Sequence, residues 1–171
     1  YGWRVVYAAI AVLALAAAIA LWMGLPAGIR GDRRGLRDRL AVLAISGVPI
    51  ALATTALFML AAYMMLVYVG PITTQAIGLD RNMLPLVLLA NGFGAVLGSH
   101  SGGRLADRFG SRSSVIAMAA ALPTSLLVFW VIPMLPREAV ATAFLANMAF
   151  VGFVGWSFWP AQASRLAAFD P

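Results

Sequence analysis

Five long apolar runs, separated by short clusters of glycine, proline or arginine, set the rhythm of this 171-residue chain. They extend from Val5 to Leu25, Leu43 to Val69, Leu84 to Ser101, Ser114 to Ile132 and Ala139 to Trp159. A hydrocarbon core of about 30 Å takes about 20 apolar residues as a helix, and backbone facing lipid has to be hydrogen-bonded within its own segment. The runs therefore predict an all-α, polytopic membrane protein with five transmembrane helices. The intervening residues carry breaker chemistry: Pro26 and Gly28, Gly70-Pro71, Gly102-Gly103 with Gly110, and Pro133 with Pro136.

Composition supports that reading. The chain is 63% hydrophobic and 11% charged, whereas a soluble domain of this size has to cover one core with charge. Its net charge of +6 comes from twelve arginines against six acids. Such a balance can indicate nucleic acid, but these arginines flank apolar runs, where the positive-inside rule accounts for them. One set of alternate loops holds Arg30, Arg33, Arg34, Arg37, Arg39, Arg104, Arg108, Arg112 and Arg165; the other holds Arg4, Arg81 and Arg137. The richer side is cytoplasmic, which puts the amino end outside and the carboxyl end inside.

The stretch Gly31 to Arg39 reads as a solvated cytoplasmic connector near anionic headgroups. The absence of lysine beside abundant alanine points to a GC-rich bacterial genome, and the absence of cysteine rules out disulfides and thiolate metal sites. With Tyr1 in place of methionine and Asp170-Pro171 directly after an apolar run, the expectation is a chain cut at both ends. The first run is too long, and lacks a small-residue cleavage pattern, to be a signal peptide.

The most specific motif is Gly103-Arg104-Leu105-Ala106-Asp107-Arg108-Phe109-Gly110-Ser111-Arg112, between the third and fourth runs. A link this short needs a tight turn, which Gly110 can make because glycine accepts positive φ. Asp107 is expected to approach the amino end of the fourth helix, where free N–H groups favour negative charge, and Arg104 and Arg108 are near enough to pair with it. Such a set would form a latch that holds one helix arrangement and releases in another.

This motif resembles the signature cytoplasmic loop of the major facilitator superfamily: Gly103, Leu105, Ala106, Asp107, Arg108, Gly110 and Arg112 match its pattern, and Ser111 departs where a basic residue is usual. Tyr1-Gly2-Trp3-Arg4 resembles the start of that family's sixth helix, and the arginine-rich connector its central loop. Tyr68-Val69-Gly70-Pro71 is similar to the outer end of the seventh helix, Asn91-Gly92-Phe93-Gly94 with Gly98 to the glycine-rich eighth, and Trp159-Pro160-Ala161-Gln162 to the inner end of the tenth. The resemblance implies helices six to ten of an incomplete twelve-helix bundle. Residues 1–29 would close the amino-terminal bundle, 30–42 form the basic connector and 43–171 supply four helices of the carboxyl-terminal bundle.

It also implies a secondary active, alternating-access carrier in a bacterial plasma membrane, of the arabinose-efflux-like or drug:proton antiporter type. Its partners would be the lipid bilayer, a small-molecule substrate, protons and the missing helices of the same polypeptide. No cofactor, metal site, catalytic set or nucleic-acid partner is expected. The alternative is a non-transporting structural or scaffold membrane protein.

Polar and aromatic residues inside spans are the candidates for a substrate cavity: Tyr63, Asn91, Asn147 and Trp156. Packing accounts for Tyr63 equally well, and interhelical hydrogen bonds are the favoured alternative for Asn91 and Asn147. Tyr68 and Trp159, near helix ends, read as interfacial anchors. Met59, Met64 and Met65 read as lipid-facing or core residues, and His100 as a helix-end histidine. None of the five spans has an acid at its middle, so a proton-coupling carboxylate would have to lie in the missing helices.

Overall fold

The computed structural model describes residues 2–24, 35 and 40–168, and falls into two units, Tyr1–Asp38 and Arg39–Pro171. The first contains helix α1, Trp3–Gly24. Most of the basic connector, with the turn expected at Pro26 and Gly28, lies outside the described residues. The second unit contains α2 (Val48–Val67), α3 (Leu84–Phe109), α4 (Ser111–Val131) and α5 (Arg137–Ala167). These five helices are each long and apolar enough to cross a membrane. No strand occurs among the described residues.

Helix ends depart from the hydropathy boundaries for local reasons. The second span was expected from Leu43, but residues Val42–Ala44 form a 3-10 turn and Gly47 adopts the left-handed φ of 96°. Pro49 follows in the first turn of α2, where its missing N–H costs nothing. At the other end Gly70-Pro71 was expected to break the chain, yet Val69–Pro71 is helical and Ile72–Ala76 is a π turn. Pro71 withholds a bond only from the carbonyl of Val67, the last residue of α2. Thr73 and Thr74 hydroxyls donate to the Val69 and Gly70 carbonyls at 2.7 and 3.0 Å, which helps to carry the backbone through. Helix resumes after Asp80, whose carboxylate accepts the Asn82 N–H at 2.7 Å.

The third span differs most from expectation. Instead of stopping near Ser101, α3 runs for 26 residues, about 39 Å at 1.5 Å per residue, through most of the signature loop. Leucine, alanine and arginine are good helix formers, so hydropathy marks where the bilayer ends but not where the helix does. The link to α4 is Gly110 alone, at φ 84° and ψ 143°, a conformation essentially reserved for glycine. Likewise α5 extends 31 residues, beyond both limits of its apolar run, with Glu138 in its first turn and Arg165 in its last, each of the sign that the helix dipole favours.

Packing within the second unit centres on α5, and its most extensive contact is with α3. Gly94, Gly98 and Gly102, one turn apart on α3, meet the backbone of Ala149, Phe153 and Ser157; a Cβ on any of the three would collide there. Gly152 reciprocates against the backbone of Asn91 and Ala95. Lipid is as apolar as leucine, so close backbone approach and the dispersion it permits are what hold membrane helices together. The Ser157 hydroxyl adds a bond to the Gly98 carbonyl at 3.2 Å.

Helix α2 is joined to α5 by side chains instead. Phe58 and Phe158 stack with centroids 3.9 Å apart and planes 7° from parallel. Below them the Gln162 amide nitrogen donates to the Ala51 carbonyl and to Thr55 Oγ1, both at 2.8 Å. Helix α4 meets α5 through Phe129 and Phe144, 5.5 Å apart, and through Asn147.

Candidate functional site

A cavity of about 230 Å³ opens where α2 stands away from the α3–α5 pair. Met59, Ala62, Tyr63 and Leu66 of α2 form one wall, Asn91 of α3 the second, and Gly152, Gly155, Trp156 and Trp159 of α5 the third. Tyr63 and Trp156 remain 62% and 54% exposed, so the space is a groove with an open side. No charged side chain lines it among the described residues.

Each wall has its shape for a local reason. On α5, Gly155 has open space where a side chain would project, and this leaves room between Trp156 and Trp159. Pro160 has no N–H to give the Trp156 carbonyl one turn earlier. On α3, Asn91 is held from two directions: its Nδ2 donates to the Met148 carbonyl at 3.1 Å, and Gly152 packs against its backbone carbonyl.

The cavity unites three of the four sequence candidates, Tyr63, Asn91 and Trp156. Asn147 stands apart from them. It is 8% exposed, and its Nδ2 donates to the Ser125 carbonyl at 3.0 Å, an interhelical bond that satisfies a polar group inside the α4–α5 contact. Trp159, read as an interfacial anchor, lines the cavity, and α5 continues past it for more than two turns. Met59 and Met65 also border the space, while Met64 faces away and is 54% exposed. His100 is exposed on α3, beside a shallower depression shared with Ser99 and Trp156.

At the signature motif, Gly103, Arg104, Leu105, Asp107 and Arg108 all lie in the final turns of α3, Gly110 is the turn and Arg112 opens α4. Asp107 lies in the last turn of its own helix, and α4 begins after Gly110 with no side-chain cap. Among the described residues no ion pair joins Asp107 to Arg104 or Arg108; the Arg108 guanidinium lies 5.5 Å from the centre of the Phe109 ring.

Sequence reasoning missed the residues that shape the cavity without carrying evident chemistry. Gly152 and Gly155 stand three apart on one helix but face different surroundings, which composition does not reveal. Gln162 was quoted only as part of a helix end; an amide at the margin of an apolar run was the available signal for its buried role.

Residues 1–170 match the sequence pattern of the Major Facilitator Superfamily. Among curated proteins, the chain is 29% identical over 160 residues to the inner membrane transport protein YdhP of Escherichia coli (strain K12), covering 94% of this chain and 38% of that protein. It is 32% identical over 154 residues to a chloramphenicol resistance protein of Streptomyces lividans, covering 88% and 38%. To the MFS-type transporter YbcL of Bacillus subtilis (strain 168) it is 26% identical over 172 residues, covering 99% and 42%. The chain thus spans about two-fifths of the length of these relatives. No solved structure matches it.

Proposed function

This chain belongs to the Major Facilitator Superfamily, and from that premise we propose that it is the helix-six-to-ten portion of a bacterial inner-membrane carrier that exports a small molecule by alternating access. The observation that carries the proposal is the open-sided groove between α2, α3 and α5, which presents aromatic faces and one amide at membrane depth. Intramembrane polar groups are costly and are kept where they face a partner helix or a pathway. Asn147 has the first kind of surroundings, while Asn91 bonds a partner helix through Nδ2 and also borders the groove. The remaining helices of the carrier would close the open side formed by Tyr63 and Trp156.

The likeness to a chloramphenicol resistance protein supports export of an aromatic solute. Proton coupling belongs to the same proposal, with its carboxylate supplied from outside the described spans. Asp107, an acid in the last turn of α3, sits against its own helix dipole. A partner for it in another state of the full carrier would make the signature motif a latch.

The test uses the full-length carrier in cells. Expression should lower the accumulation of labelled chloramphenicol, a protonophore should restore it, and Gly155→Leu, which places a side chain in the groove, should abolish the effect. Accumulation equal to that of cells without the carrier, for chloramphenicol and for a panel of other aromatic drugs, would sink the export reading.

A further inference from the structure

We infer that Asn91 is the specificity-determining acceptor of the groove, selecting aromatic solutes that bear an O–H or N–H donor. The inference rests on the proposed substrate role of the cavity and goes further, to the chemistry of what it takes.

An amide has two donors and an acceptor, and which end faces a ligand is settled by what the other end already holds. Here the Asn91 Nδ2 is committed to the Met148 carbonyl at 3.1 Å. A carbonyl can only accept, so a flipped amide would set oxygen against oxygen; the orientation is fixed by chemistry. Oδ1 accepts no hydrogen bond from the described residues, and Asn91 lines the cavity. The backbone that carries the side chain is held in place by Gly152, which packs against the Asn91 carbonyl.

The other polar groups of the groove sharpen the choice. The indole N–H groups of Trp156 and Trp159 only donate, and the Tyr63 hydroxyl can do either. No described charged side chain lines the wall to balance an anionic ligand. Around these atoms the surface is aromatic and aliphatic, suited to a flat apolar body. A fixed acceptor that a bound ligand covers disfavours an analogue without a donor, since binding it strips water from Oδ1 and returns nothing.

The probes are 2-naphthol and 2-methoxynaphthalene, bicyclic aromatics that differ in one O–H donor. Their affinities are measured by equilibrium dialysis against the purified full-length carrier in lipid nanodiscs, with empty nanodiscs subtracted for partition into lipid. Wild type should hold 2-naphthol about tenfold more tightly, the worth of one hydrogen bond. In Asn91→Leu the ratio should fall to about one. In Tyr63→Phe the ratio should persist, whatever happens to the individual affinities. Equal affinities in wild type overturn the inference even if Asn91→Leu does not fold, as do a ratio that survives Asn91→Leu and one that collapses in Tyr63→Phe. If Gly155→Leu leaves both affinities unchanged, the groove is not the binding site and the substrate reading fails first. If it removes both while the ratio is already one in wild type, only the role given to Asn91 fails.

Discussion

Two of the contacts that helix α5 makes are of opposite kinds. Against α3 it touches backbone to backbone, through four glycines that leave no room even for a methyl group. Against α2 it touches through side-chain tips, a stacked pair of phenylalanines and one glutamine amide. The first contact has a single arrangement, because sliding either helix by a residue would drive a side chain into a carbonyl. The second involves rings that can glide and an amide that can change partners. The groove lies between them, with α3 and α5 as the closely packed wall and α2 as the wall held to α5 by side chains alone.

The comparison is broken most severely at Gly98. Gly98→Leu would force a side chain into the Phe153 backbone, and we expect more than about 4 kcal/mol of destabilisation, beyond what most single substitutions cost. The readout is the loss of monodisperse protein after detergent extraction. Gly103→Ala, on the same helix but in open space, should be neutral or stabilise by about 0.5 kcal/mol. If both variants behave alike, the close approach is not what holds the pair.

Phe158→Ala removes half of the ring stack from a fully buried position. It should cost about 3 kcal/mol in reversible SDS unfolding, within the range for buried phenylalanines. A cost as large as that of Gly98→Leu would erase the distinction between the two contacts.

The smallest effect is expected at Gln162. Its Oε1 is buried without a partner, while Thr55 already donates to the Ala51 carbonyl at 2.9 Å. Gln162→Leu therefore removes an unsatisfied atom and leaves no new one behind. Stability should stay within about 1 kcal/mol of wild type, while the accessibility of cysteines placed on the groove side of α2 should rise. Unchanged accessibility would show that the amide does not restrain α2.

Much of this was legible in the amino-acid sequence, and the gaps have physical causes. Apolar runs of bilayer length marked every long helix, since no other structure lets backbone cross hydrocarbon. Their ends were misplaced wherever helix and hydrophobicity part company: at Gly102 to Arg108, polar but helical, and at Gly70-Pro71, breaker residues that the chain passes through. Three groove residues could be named because a tyrosine, an asparagine or a tryptophan inside a span needs some explanation. What separates Asn91 from Asn147 is only the facing helix: Met148 and an open groove for one, Ser125 in a closed seam for the other. A single chain without its packing partners does not encode that difference in any readable pattern. Asp107 was read as a loop residue because charge lowers hydropathy there, whereas a continuous helix carries it in the last turn of α3.

The one-residue link at Gly110 also has a consequence for how the protein is made. With nothing but a single glycine between Phe109 and Ser111, α3 and α4 form a hairpin without slack, suited to entering a bilayer as a pair. Arg104, Arg108 and Arg112 are all gathered near its bend.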